Sequence, residues 1–223
     1  YRIEKDNKMK KKITATVLSQ KEIAPRIFDM WIATELAACA KAGQFIGVYP
    51  KDRSTLLPRP ISICQVNDKK DALRIVYRIA GQGTAEFSSY QEGDGVEILG
   101  TLGNGFPTEV AEGKKVFLMG GGIGIPPMLE LARELPASTE KQIIVGYRDD
   151  QLFLKEDLEK NGTVYIATED GSVGTKGNVM NAIEENHLQA DVIFACGPMP
   201  MLRAIKKYAE EKKIKAYISL EEH

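Results

Sequence analysis

The sequence predicts two domains: an antiparallel β-barrel, then an α/β domain built on a parallel sheet. Three observations carry this. The first half holds six short runs rich in β-branched and aromatic residues, with Gly, Pro, Asn or Asp nearby. The second half alternates apolar strand-like runs with segments of helical spacing, the pattern of βαβ units. The period changes near residues 106–113, and 223 residues suit two domains of roughly 100–150 residues each.

The barrel strands are expected over 13–18, 26–33, 44–49, 60–66, 73–79 and 96–99. Between the last two, residues 84–90 read as a short helix with Thr84 as N-cap and Phe87 facing inward. The second half opens with a buried strand over 115–119 that runs into glycines. Met128, Leu131, Ala132 and Leu135 fall at helical spacing and predict the first helix. Strands over 142–145, 164–167, 192–195 and 216–218 alternate with helices over 152–158, 179–185 and 199–211. Taking Met9 as a candidate natural start, the domains are expected at 9–108 and 109–223.

Composition narrows the class. Hydrophobic residues at 43% and charged residues at 27% fit a globular chain with two cores. A net charge of -1 offers no footprint for nucleic acid. No apolar run approaches the roughly 20 residues of a membrane helix, and no signal peptide is visible. The basic run at 8–12 reads as a solvated lead-in to the first strand. Cys39, Cys64 and Cys196 are far apart and odd in number, which argues against a disulfide framework or a zinc site and for a reducing cytoplasm.

The strongest local signal is Gly120-Gly121-Gly122-Ile123-Gly124-Ile125-Pro126-Pro127, between the first parallel strand and the first helix. Glycines there let the backbone approach a pyrophosphate, and the helix N-terminus is expected to offer N–H groups to it. The same residues also suit a tight turn without ligand. Other loops should gather at the same sheet edge: Thr168-Glu169-Asp170-Gly171-Ser172 after the third strand, and Cys196-Gly197-Pro198-Met199-Pro200-Met201 after the fourth. An acidic residue there suits ribose hydroxyls and repels a 2′-phosphate, favouring NAD over NADP; a solvated turn explains it equally. Cys196 also reads as a small core residue. In the barrel, Arg59, Arg78 and the glycine-opened turn at Gly83-Thr84 form a candidate phosphate cradle. Arginines at strand ends are also ordinary surface residues. No G-x-S-x-G or H-E-x-x-H motif occurs. The stretch 171–177 resembles a phosphate loop, but its lysine does not follow the second glycine at the required spacing. Glu184-Glu185 and Glu221-Glu222 read as solvated pairs.

Arg59-Pro60-Ile61-Ser62, the G-x-G-T turn, G-G-G-I-G-x-P-P and C-G-P together resemble the ferredoxin–NADP reductase superfamily. Within it, five stretches are most similar to the electron-transfer subunits of NAD-dependent (type B) dihydroorotate dehydrogenases: 59–63, 76–78, 102–107, 170–177 and 217–222. The resemblance implies an FAD site at Arg59, Pro60, Ile61 and Ser62, with Arg59 near the pyrophosphate and Ser62 near the reactive flavin edge. It implies Val76, Tyr77 and Arg78 along the flavin and its phosphates, and Gly83 and Thr84 as donors to the pyrophosphate. Ile61 stands where many superfamily members carry an aromatic ring, so an apolar contact would replace stacking. Gly121, Gly122, Gly124 and Cys196-Gly197-Pro198 would place the nicotinamide, and no side chain need act as acid or base. The resemblance further implies an FMN-containing dihydroorotate dehydrogenase catalytic subunit as partner, in a heterotetramer, with pyrimidine biosynthesis as the setting. A [2Fe–2S] cluster would sit on a cysteine-rich segment beyond the S-L-E-E stretch, leaving no metal site in this chain. A related flavin reductase subunit, exchanging electrons between NAD(P)H and ferredoxin or sulfur compounds, and a non-catalytic nucleotide-binding module are the other readings.

Overall fold

The computed structural model describes residues 11–52 and 57–220. Met9, most of the basic run 8–12, the Glu221-Glu222 pair and His223 lie outside the described residues.

Six strands close into an antiparallel barrel in the order β1-β2-β5-β4-β3-β6. They are β1 (Lys11–Ala24), β2 (Ile27–Ala33), β3 (Phe45–Tyr49), β4 (Arg59–Val66), β5 (Ala72–Arg78) and β6 (Gly95–Leu102). Closure comes from β1 pairing with both β2 and β6, which leaves neither edge bare. Alternation fills the interior: Met30 and Ile32 of β2, Leu73, Ile75 and Tyr77 of β5, and Val96 and Ile98 of β6 pack into one core. On β5 the alternate residues Arg74 and Val76 are buried as well, because the second half of the chain covers that side of the barrel.

The second sheet is parallel throughout, in the order β10-β9-β8-β7-β11-β12. Its strands are β7 (Lys115–Gly121), β8 (Glu140–Tyr147), β9 (Thr163–Thr168), β10 (Thr175–Lys176), β11 (Val192–Gly197) and β12 (Lys215–Leu220). The chain winds outward from β7 through β8, β9 and β10. It then returns to the other side of β7 as β11. The winding reverses between β7 and β11, and in such sheets the crevice beyond the strands' carboxyl ends at that point is where ligands bind. Four helices cover the two faces: α2 (Pro126–Glu134), α3 (Lys155–Glu159), α4 (Val179–Glu185) and α5 (Met199–Lys212).

The structure corrects one capping assignment. Helix α1 (Gln82–Phe87) begins two residues before Thr84, with Gly81 as N-cap. The Thr84 hydroxyl instead accepts from the Ala80 and Gly81 N–H groups and donates to the Gly81 carbonyl. A threonine oxygen can close the turn before a helix from within its first turn, and the sequence alone does not separate the two uses. Phe87 faces the barrel core as expected.

Side chains of the second half bond directly to the barrel. Glu130 of α2 accepts from Val66 N–H at 3.0 Å, and Glu134 accepts from Ala42 N–H at 3.1 Å. Arg74 of β5 binds both carboxylate oxygens of Asp29 at 2.9 Å, and it reaches Asp157 of α3 at 2.8 Å. Burial works against the Arg74 charge, but its bonds to Asp29 and Asp157 hold the guanidinium protonated. Burial also opposes the Asp157 carboxylate, yet Arg74 and then Lys160 hold its pKa below the usual range.

Candidate functional site: a cleft at the carboxyl edge of the sheet

The site is built by turns that leave β7, β8, β9 and β11 at one edge. Together with Arg78 from the end of β5 they line a cavity of about 500 Å³. Residues from both halves of the chain thus meet in one cleft, lying over the reversal of the winding.

The turn after β7 is a 3-10 turn, Gly122–Gly124, leading through Ile125 into α2. Gly122 takes φ +54 with open space where a Cβ would stand, so glycine suits the position and leaves room beside the backbone. Gly124 is different. It is buried, and a Cβ there would overlap the Cys196 carbonyl and Gly197 Cα. Its lack of a side chain lets the β7 and β11 turns touch.

The expectation of donors from the α2 N-terminus fails. Pro126 and Pro127 occupy its first two positions, and proline has no N–H. The Ile125 and Met128 N–H groups are bonded inside the turn. The backbone of Gly122 and Ile123, which lines the cavity, remains available to meet a phosphate.

Of the other expected nucleotide contacts, Gly121, Pro198 and Glu169 line the cavity. Gly124, Cys196 and Gly197 are buried behind it. Asp170 does not line it. Its carboxylate accepts from the Ser172 N–H at 2.9 Å and hydroxyl at 2.7 Å, bonds that hold its pKa below the usual range. Glu169 therefore carries the acidic character of this edge, and its side chain has no bond or ion pair within the described residues. Arg148, just beyond β8, also lines the cavity. Sequence reading missed it, together with the start of α4 at Asn178, whereas Ile123 and Met201, which also line the cavity, lie in stretches the sequence places at this edge. The rule that placed Glu169 and Pro198 at strand carboxyl ends covers Arg148 equally.

The barrel residues divide. The side chain of Arg59 lies over the start of α1: a Cβ on Gly83 would stand 3.1 Å from Arg59 Nε. The guanidinium donates to the Leu57 carbonyl at 2.7 Å. Four N–H groups at a helix start lack helical partners; here that of Gly81 is met by the Thr84 hydroxyl, and a cation beside Gly83 makes the start of α1 suit an anion. Pro60 is exposed and Ser62 half-buried on the outer side of β4. Ile61 is 6% exposed and packs inside the barrel, as does Tyr77, whose hydroxyl donates to Gln20 at 2.8 Å. Val76 is buried between barrel and sheet. These three can offer a ligand their backbone but not their side chains. Arg78 is exposed and sits in the cleft with Gly121 and Gly122, joining the two candidate sites.

A [2Fe–2S] cluster does not fit the cysteines present. Cys39 is exposed, Cys64 and Cys196 are buried on separate strands, and none is disulfide-bonded. Burial pushes the Cys64 thiol well above its ordinary value, away from a thiolate ligand. Among the described residues, no group of three His, Cys, Asp or Glu could hold a metal ion. No helix there is long and apolar enough to cross a membrane.

No family model matches the chain. An NADH-dependent reduced ferredoxin-NADP oxidoreductase superposes with a TM-score of 0.83 at 26% identity, over 93% of this chain and 76% of that one. The fold is also that of a ferredoxin NADP+ reductase from Neisseria gonorrhoeae, solved with bound FAD and NADP. That match has a TM-score of 0.75 at 19% identity, over 94% and 99% of the two chains. The dihydroorotate dehydrogenase B (NAD(+)) electron transfer subunit of Streptococcus mutans is 43% identical over 210 residues, covering 93% of this chain and 81% of that one. Its counterpart in Bacillus pumilus is 41% identical over 220 residues, covering 95% and 83%. On these matches the chain belongs to the family of dihydroorotate dehydrogenase B (NAD(+)) electron transfer subunits.

Proposed function

We propose that this chain binds FAD against its barrel and NAD in the cleft, and passes electrons from dihydroorotate oxidation to NAD⁺ in pyrimidine biosynthesis. The observation that carries this is the shared cleft. A barrel residue, Arg78, and the glycine turn after β7 line one cavity at the reversal of the sheet, so ligands of the two halves come within reach of each other. Arg59 over the first turn of α1 would hold the FAD pyrophosphate, and Ser62 would lie toward the flavin ring. The backbone of Gly121 and Gly122, with Pro198, would hold the dinucleotide, and Glu169 would accept from a ribose hydroxyl. FAD, when bound, supplies the electron chemistry; the chain supplies position and charge.

Dihydroorotate would be oxidised at FMN in a separate catalytic subunit, the two kinds of subunit assembling as a heterotetramer. A [2Fe–2S] centre would be held outside the described residues, and the setting would be cytoplasmic. The second reading, electron exchange between NAD(P)H and ferredoxin or a sulfur compound, draws on the 0.83 TM-score to a ferredoxin-linked oxidoreductase. The 41–43% identities favour the first.

The test is an anaerobic absorbance titration of the FAD-loaded protein with NADH and then NADPH. The expected result is loss of the flavin band at far lower NADH than NADPH. Failure to bind flavin, or no bleaching by either nucleotide, would overturn the reading.

A further inference from the structure

Met201 belongs to the first turn of α5, is half-buried and lines the cleft. An ideal Cβ on Gly121 would stand 2.6 Å from its sulfur, and one on Gly197 would stand 2.6 Å from its terminal methyl. Gly121 ends β7 and Gly197 ends β11, the two strands between which the winding reverses. The thioether therefore lies across both turns in the space their missing side chains leave, with the cavity beside it. The barrel meets this part of the cleft: β5 contacts the 122–124 turn, and Arg78 lines the cavity. Arg148 and Glu169, beyond β8 and β9, mark the opposite part.

We propose that Met201 is a positioning residue for the nicotinamide end of the dinucleotide, setting how deeply the ring enters between the β7 and β11 turns. The inference rests on the cleft being the dinucleotide site. Methionine suits the task. It is unbranched and adaptable, it lies across two glycine turns, and its sulfur makes favourable contacts with aromatic rings. A side chain at Gly121 or Gly197 would evict it. Both glycines therefore act through Met201 as well as by keeping their own positions clear.

The test compares NAD⁺ with ADP-ribose, which lacks the nicotinamide, by calorimetric titration of the full chain. Met201→Ala should weaken NAD⁺ on the order of threefold to tenfold and leave ADP-ribose within about twofold. In the FAD-loaded protein, the long-wavelength charge-transfer absorbance formed with the nicotinamide should fall in the same variant. Met201→Leu keeps the volume and carries the test if the alanine variant does not fold; a smaller loss confined to NAD⁺ is expected. Equal weakening of both ligands, or unchanged NAD⁺ binding with only a lower melting temperature, would make Met201 a packing residue and overturn the proposal. Wild-type protein that binds neither ligand would sink the dinucleotide site and, with it, the role of Met201.

Discussion

At the scale of single residues, the cleft is shaped as much by missing side chains as by present ones. Gly124 has no open space around it. Gly124→Ala would set a methyl against the Cys196 carbonyl and Gly197 Cα, backbone atoms that cannot swing aside. The expected loss is about 2–4 kcal/mol in urea unfolding, with weaker nucleotide binding because the β7 and β11 turns must part. Glu169 is the opposite case, an exposed carboxylate whose effect is electrostatic. Glu169→Gln removes the charge that would repel a 2′-phosphate and leaves Arg148 in the same cavity. The preference for NADH over NADPH should narrow on the order of tenfold, read as the ratio of kcat/KM values for flavin reduction. An unchanged ratio would transfer the discrimination to other residues. The motif around Glu169 was readable in the chain; that Asp170 turns back on Ser172 was not, because the two share one loop and one chemistry.

At the scale of elements, most strands and helices follow from periodicity. Helix α4 (Val179–Glu185) has the predicted bounds, and α5 (Met199–Lys212) ends one residue later than expected. The misses have local causes. β1 runs on to Ala24 through Gln20, Lys21 and Glu22, polar residues that reading by apolar alternation stops at. Pairing with β2 extends the strand regardless of side-chain type. β10 is a two-residue strand, Thr175–Lys176, too short for any period. Helix α2 docks through Glu130, whose carboxyl lies almost fully buried at 5% exposure. Burial raises its pKa, against the Val66 N–H bond and the Arg133 charge that lower it. A carboxyl with a raised folded pKa binds more protons folded than unfolded between the two values, so stability falls as pH rises across that window. The window opens near the ordinary value of 4.5 and closes at the raised one. Glu130→Gln keeps an acceptor for Val66 and removes the charge. Its melting temperature should gain on the parent as pH rises from about 4.5 and level off above the raised value, and a constant difference would contradict this.

At the scale of the whole molecule, what matters is how barrel and sheet are held so that one cleft is lined from both sides. Arg74, Asp29 and Asp157 tie β5 and β2 to α3. Asp29 is 3% exposed, so Arg74→Ala strands a buried carboxylate and should cost about 3–5 kcal/mol. Asp157 is a third exposed, with its side chain at 33%. Asp157→Asn should cost about 1 kcal/mol or less. Urea unfolding of the two variants checks the order. If the asparagine variant were the worse, the anchor would lie on the α3 side rather than within the barrel. No spacing in the chain announces this network: residues 29, 74 and 157 meet only because the barrel closes and α3 packs on its side.

The chain by itself determined the two architectures and the glycine turn between β7 and α2. Strand and helix periods are local properties of side-chain alternation, and four glycines in five residues have few uses at a strand's end. It also carried the motifs that matched its family. The tertiary structure decided which of those residues line a common cavity. It buried Ile61, Val76 and Tyr77 in the packing of the barrel and behind the sheet, and turned Asp170 away. It brought in Arg148 and laid Met201 across two glycines. Each of these depends on contacts between residues distant in sequence, and such contacts exist only once both halves have packed against each other.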